Sequence, residues 1–263
     1  MSREDILLQV EGNVLAVTLN RPQSLNVFSP DMLEGMMEAI QRAKEDPDIR
    51  AVLLSGAGRA FSAGGDVKRM EERMGDSGPV LTYEHIGRLN KVILAMADLD
   101  VPIVAAVHGY AAGAGVCLAM ACDQILAAQD CKFVLSFAKV GLISDGGCLF
   151  FLPRTLGLYR AKEVLFNAEP IEAATAYSWG MVNRLYPSEQ LLPEAMKYAR
   201  KLAEGPSRAI GMMKRIANRA LISDLEGILE MERTAQAMIK TTHDHSEGVK
   251  AFIEKRSPQF FGK

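Results

Sequence analysis

The sequence predicts an α/β fold, with strands and helices alternating over residues 1–190 and a helical C-terminal region over 191–263. Three observations carry this prediction. Short apolar runs alternate with stretches of helical periodicity, as crossover connections between parallel strands require. Two glycine-rich segments each follow an apolar run, where a strand gives way to a helix. From about Pro153 onward, nearly every segment has apolar residues at helical spacing.

The elements follow in order. Residues 6–10 and 14–20 alternate as strands and turn around Glu11-Gly12-Asn13, the pattern of a hairpin. Ser29 is placed to cap a helix with Pro30 in its first turn. Met32, Leu33, Met36, Met37 and Ile40 then share one face over residues 32–43. Residues 51–54 are a buried strand, followed by the first glycine-rich segment, Ser55 to Asp66. A long helix is expected over 80–96, a buried strand over 103–107, and the second glycine-rich segment over Gly109 to Gly115. Helix resumes to Cys122, and short strands follow at 124–127 and 132–135. Helices are expected over 160–167, 171–179, 188–203, 207–220 and 224–240, interrupted by a strand at 181–186. No internal repeat or low-complexity linker is visible.

Composition narrows the function classes. Apolar residues make up 49% and charged residues 24%, an ordinary globular balance, and the net charge of -2 gives no basic face for nucleic acid. No apolar stretch reaches the length of a membrane span, and the N-terminus lacks the pattern of a signal peptide. Cys117, Cys122, Cys131 and Cys148 form no CxxC pair. They read as reduced thiols of a cytoplasmic or organelle-matrix protein.

Gly113-Ala114-Gly115, at a strand-to-helix turn, directs backbone N–H groups at whatever lies beyond the strand. A dinucleotide fingerprint would need glycine at Leu118, and neither a Walker A sequence nor a GxSxG elbow is present. A helix start suited to a small anion or a developing oxyanion remains. A tight turn accounts for the same glycines on structural grounds alone.

Several runs, in order, are more specific. They are Asn20-Arg21-Pro22, Gly58-Arg-Ala-Phe-Ser-Ala-Gly-Gly-Asp-Val-Lys68, Val101-Pro-Ile-Val-Ala-Ala-Val-His-Gly-Tyr-Ala-Ala-Gly-Ala-Gly115 and Leu118-Ala-Met-Ala-Cys-Asp123. Trp179-Gly-Met-Val-Asn183 and the ending from Glu247 to Phe260 complete the set. Together they resemble the crotonase (enoyl-CoA hydratase/isomerase) superfamily over almost the whole chain. The resemblance implies a spiral of stacked ββα turns, assembled as a homotrimer or a dimer of trimers. It also implies an acyl-CoA substrate, with CoA arriving as part of that substrate and no metal or other cofactor. The N–H groups of Gly65 and Ala114 would grip the thioester oxygen, and one such donor is typically worth about 10²–10³ in rate. CoA would lie along Arg21, Ser24 and Leu25, with Ala63 and Asp66 near the adenine. Phe252 and Lys255 would meet the CoA of a neighbouring subunit. Solvation or helix packing accounts equally well for Arg21, Phe252 and Lys255.

The acid–base groups distinguish the reactions. Where hydratases of this superfamily carry two glutamates, this chain has Cys117 and Phe137, neither of which moves a proton as a positioned carboxylate does. Both remain candidates for lining the pocket. Asp145, in Phe137-Ala-Lys-Val-Gly-Leu-Ile-Ser-Asp-Gly-Gly147, stands where the 1,2-epoxyphenylacetyl-CoA isomerase and enoyl-CoA isomerase branch carries its acid/base. One carboxylate suffices to move a proton between two carbons. An apolar surround of Phe137, Leu142 and Ile143 is expected to raise its pKa. The competing reading makes Asp145 the cap of a helix beginning at Gly146-Gly147. A dehalogenase branch uses the same aspartate with a histidine and a tryptophan, but here Asn90 and Phe137 hold those places. A hydratase with atypical groups and a non-catalytic CoA-thioester-binding protein are the alternatives. His108 is expected to hydrogen-bond near the second glycine-rich loop, and His243-Asp-His245 to be a polar cluster at a helix start.

Overall fold

A computed structural model describes residues 4–66 and 78–263. The hairpin β1 (Ile6–Glu11) and β2 (Val14–Leu19) forms one edge of a six-stranded sheet. It continues through β3 (Ala51–Gly56), β4 (Ile103–Val107), β6 (Gln124–Ala128) and β9 (Arg184–Tyr186), all parallel from β2 onward. A small second sheet has the order β5 (Tyr110–Ala112), β7 (Lys132–Val134), β8 (Ile171–Glu172). Each turn of chain therefore lays one strand in the large sheet, a short strand in the small one, and then a helix. The Ser62–Ala111 bridge gives the turn after β3 the same form. This is the expected ββα spiral.

The strand sequences explain their placement. All five residues of β4 are buried and apolar, as a parallel strand covered on both faces requires. Helix α1 (Pro30–Glu45) packs on β1, β2 and α2 (Gly78–Asp98). Ser29 caps α1, its Oγ accepting the Met32 N–H at 3.1 Å, with Pro30 next in sequence. Helix α3 (Ala114–Met120) follows β5, and α4 (Cys148–Leu156), α5 (Leu158–Asn167) and α6 (Ala173–Ser178) come later. Helix α7 (Ser188–Ala203) lies on β2, β3, β4, β6 and β9, so the expected division at 190/191 falls inside a helix that packs on the sheet. Helices α8 (Ser207–Ala220), α9 (Leu225–Ile239) and α10 (His243–Glu254) complete the chain. Helix α9 buries no residue within the chain and leaves Leu225, Leu229 and Met238 exposed.

Three elements differ from expectation. Ile171 and Glu172 pair with Phe133 and Lys132 instead of starting a helix, which begins at Ala173. The strand expected at 181–186 shrinks to its last three residues, because Asn183 turns in to bond Ile125 with both backbone and side chain. Tyr110–Ala112 is a strand too short for periodicity to reveal.

Among the described residues no helix is long and apolar enough to cross a membrane. No group of three His, Cys, Asp or Glu side chains there is arranged to hold a metal ion.

Candidate active site

The two glycine-rich segments lie side by side. Phe61 N–H donates to His108 O at 3.0 Å, Ser62 N–H to Tyr110 O at 3.2 Å, and Ala112 N–H to Ser62 O at 2.8 Å. Glycine is required by this proximity. A Cβ on Gly64 would fall 2.5 Å from Ala112 O and 2.7 Å from Ala114 N, and one on Gly115 would fall 2.4 Å from Ser62 O. Gly64 also has φ +79°, which L side chains rarely adopt.

The hydrogen bonds of these segments use the N–H groups of Phe61, Ser62, Ala63, Gly64, Ala112, Gly113 and Val116. Those of Gly65, Ala114 and Gly115 take no acceptor among the described residues. The seam where the loops meet thus carries N–H groups of both with hydrogen-bonding capacity to spare.

Two buried side chains that sequence reasoning missed hold the seam together. Asn26 is fully buried, and its Nδ2 donates to Ala57 O, Ala60 O and Phe61 O while its Oδ1 accepts the Arg21 N–H. Ser62 Oγ donates to Asn26 O and accepts the Gly64 N–H at 3.0 Å. Asn26 adopts φ 54° beside Leu25 at φ 53°, and the asparagine itself, a residue that tolerates this conformation, was the sequence signal for a turn.

The carboxylate comes from a later segment, between β7 and α4. Phe137, partly buried in the 3₁₀ turn Ser136–Val140, sets its ring beside Gly113. Gly141 then turns the chain at φ +70°, which sends Leu142 and Ile143 outward, 48% and 82% exposed. These two therefore do not form the expected surround of Asp145. Its neighbours are instead the buried thiols of Cys117 on α3 and Cys148 on α4, while Leu89 and Ile93 of α2 pack on the adjacent Gly146 and Gly147. Burial pushes the Asp145 carboxyl above the ordinary aspartate value. Its Oδ1 is shut off from solvent and has no hydrogen-bond partner among the described residues. Nor does the carboxylate cap α4. That helix starts at Cys148, after Gly147 in the cap position with no side-chain bond, and only the Asp145 backbone carbonyl accepts the Cys148 N–H.

Cys117 lies one turn along α3 from Ala114, and its Sγ donates to Gly113 O at 3.4 Å. The Cys148 thiol beside it, together with burial, pushes Cys117 well above the ordinary thiol value. It is therefore a protonated, buried thiol.

The positions assigned to CoA divide into two groups. Leu25 and Ala63 meet, the Ala63 N–H donating to Leu25 O at 2.8 Å, and Asp66 follows on the same loop. Ser24 Oγ bonds Arg21 O, while the Arg21 guanidinium reaches Val27 O at 2.9 Å and Asp5 at 3.5 Å. Phe252 and Lys255 lie on and just after α10. Phe252 is 86% exposed and lines a cleft with Arg208 and Phe260, and Lys255 ends the helix at φ 56°. The loop over residues 69–79, which with the following helix is expected to supply the pocket wall, lies outside the described residues as far as residue 77. His108 Nε2 bonds Gly58 O of the first loop at 3.0 Å rather than a group of the second. Asp244 of the His243-Asp-His245 cluster accepts the N–H groups of Phe261 and Gly262, tying down the tail.

The sequence model of the family described as Enoyl-CoA hydratase/isomerase matches residues 9–263. The chain belongs to the enoyl-CoA hydratase/isomerase family. It is 38% identical to the 1,2-epoxyphenylacetyl-CoA isomerase of Escherichia coli, over 99% of each chain. It is 36% identical to a probable enoyl-CoA hydratase of Mycobacterium tuberculosis, again over 99% of each. Its structure superposes on that of an enoyl-CoA hydratase from Polaromonas sp. JS666 with a TM-score of 0.93 at 34% identity, covering 97% of this chain and 99% of the other. Relatives in this enzyme family thus bear both isomerase and hydratase names.

Proposed function

We propose that this family member is an enoyl-CoA isomerase that moves a double bond with one carboxylate. The thioester oxygen sits between the N–H groups of Gly65 and Ala114. Asp145 takes the proton from C2 of a 3-enoyl-CoA, and the electrons of that C–H bond move into a dienolate whose negative charge rests on the oxygen facing the two donors. The protonated Asp145 then delivers the same proton to C4, giving the 2-enoyl-CoA and restoring the carboxylate. One observation carries the reading. Asp145 is a half-buried carboxylate with one solvent-shielded oxygen that has no partner among the described residues, whereas the positions where hydratases carry glutamate hold a protonated thiol and a phenyl ring. A group kept from water, with its pKa raised, is poised to hold a proton for part of a cycle.

CoA lies along Ser24, Leu25, Ala63 and Asp66 with Arg21 at its edge, and Cys117 and Phe137 line the acyl side. The apolar residues left exposed on α9 and α10 support assembly as a homotrimer or dimer of trimers, with Phe252 and Lys255 reaching a neighbour's CoA. The test is separate incubation with 3-hexenoyl-CoA and with 2-hexenoyl-CoA in H₂¹⁸O, followed by NMR and mass spectrometry. A shifted double bond without label supports the isomerase. Labelled 3-hydroxyacyl-CoA as the main product means a hydratase with other acid/base groups, and binding without turnover means a non-catalytic member.

A further inference from the structure

The turn over residues 21–28 carries CoA positions, yet its hydrogen bonds run to the first glycine-rich segment. Ala63 N–H donates to Leu25 O at 2.8 Å, and Phe28 N–H donates to Gly64 O at 2.8 Å. Ser62 Oγ donates to Asn26 O at 2.8 Å and accepts the Gly64 N–H at 3.0 Å. Both peptide units of Gly64 are thereby held by one turn, and the second of them carries the Gly65 N–H. A trans peptide is planar and sets its N–H and C=O on opposite sides. No cis peptide bond occurs among the described residues. With its oxygen fixed by the Phe28 N–H, this unit presents the Gly65 N–H in the opposite direction, where it takes no acceptor among the described residues.

The turn itself is strained. Leu25 and Asn26 are consecutive non-glycine residues in the left-handed region, at φ 53° and φ 54°. Such a conformation persists only where its surroundings over-determine it. Asn26 does much of this. Its fully buried side chain accepts the Arg21 N–H at 2.8 Å, closing the turn, and its Nδ2 donates to Ala57 O, Ala60 O and Phe61 O of the glycine-rich segment.

We propose that Asn26 and Ser62 are positioning residues that couple the CoA portion of the substrate to the Gly65 donor. The proposal rests on CoA lying along Ser24 and Leu25 and on the Gly65 N–H facing the thioester oxygen. Contact with CoA holds the turn in its left-handed form, and the bonds of Ser62, Ala63 and Gly64 pass that restraint to the Gly65 peptide. Binding energy from a part of the substrate that does not react then orients a group that stabilises the dienolate.

The test compares kcat for 3-hexenoyl-CoA with kcat for the truncated N-acetylcysteamine thioester, in wild type, Asn26→Gly and Ser62→Ala. Glycine accepts the left-handed φ. Alanine at position 62 removes only the two Oγ bonds, so Ser62→Ala decides the matter if Asn26→Gly does not fold. Wild type should turn over the CoA thioester faster by about tenfold or more, because a truncated substrate loses kcat. Ser62→Ala should lower kcat on the CoA thioester by about five- to tenfold, the order for one lost hydrogen bond, and by less on the truncated one. The ratio between the substrates therefore narrows, whereas a merely structural role would lower both alike. An unchanged ratio in folded Ser62→Ala, or a wild type with equal kcat on both substrates, overturns the proposal. A wild type that isomerises neither substrate removes the isomerase reading, and amide hydrogen exchange over residues 57–65 then reads the coupling. Free CoA should slow that exchange in wild type and not in Ser62→Ala, and an equal response in both overturns the coupling.

Discussion

Replacing Gly64 by alanine perturbs the seam between the two loops while adding one methyl group. Its Cβ would sit 2.5 Å from Ala112 O and 2.7 Å from Ala114 N, both backbone atoms that no rotamer change can move. Reaching ordinary contact near 3.4 Å needs displacements of about 0.9 Å from the first and about 0.7 Å from the second, and the seam must open by that amount. A misplacement of that size, or the loss of one oxyanion donor, typically costs about 10²–10³ in rate. The positive φ adds about 1–2 kcal/mol of strain for a residue with a Cβ. Gly180→Ala separates the two effects: Gly180 has φ +80°, yet nothing lies within 4 Å of its Cβ position. Both variants should lose similar backbone stability in urea titrations, and Gly64→Ala should lose more by its clash. Only Gly64→Ala should lose kcat, by about 10²-fold or more, in a spectrophotometric assay of 3-enoyl-CoA. A folded Gly64→Ala with kcat within threefold of wild type would refute the placement of the oxyanion donors at this seam.

Two further predictions concern carboxylates whose pKa is raised. Lys214, its side chain 5% exposed, holds Asp123 at 2.9 Å and donates to Val101 O, joining α8 to the start of β6. Burial pushes the Asp123 carboxyl up while Lys214 pulls it down. Lys214→Met removes the cation from a carboxylate still reached by solvent and should cost about 1.5–3 kcal/mol, and adding Asp123→Asn should restore part of the loss in urea unfolding. Asp145→Asn should stabilise the protein at neutral pH. Because burial raises its folded pKa, the unfolded chain releases this proton first, and wild-type stability falls as pH rises from the unfolded pKa to the folded one. The gap in thermal midpoint between the variant and wild type should therefore widen through that window and level off above it. A gap independent of pH at fixed protein concentration would contradict the raised pKa.

The parts of the fold set by long-period signals were legible. Ser29-Pro30 marked the start of α1, the apolar run 103–107 marked a strand covered on both faces, and the spacing in 188–203 and 207–220 gave two helices to the residue. What escaped depended on partners distant in sequence. Tyr110–Ala112 is a strand because Lys132–Val134 lies beside it, and Ile171 leaves its helix for Phe133. In the site, motif order identified Gly65, Ala114 and Asp145 as candidates. The surround of Asp145 was misjudged because a left-handed Gly141 reverses the facing of Leu142 and Ile143, which a list of apolar neighbours in sequence does not reveal. Asn26 and Ser62 look like ordinary polar loop residues, and only burial separates them from others of their type.

The central claim is that Asp145 alone carries the proton. Wild type and Asp145→Asn incubated with 3-hexenoyl-CoA in D₂O, with double-bond position and deuterium at C2 and C4 followed by NMR, test it most directly. The account predicts a wild-type shift to 2-hexenoyl-CoA, and loss of both the shift and the exchange in a folded Asp145→Asn that still binds CoA thioester. An Asn variant that shifts the bond at the wild-type rate would contradict it.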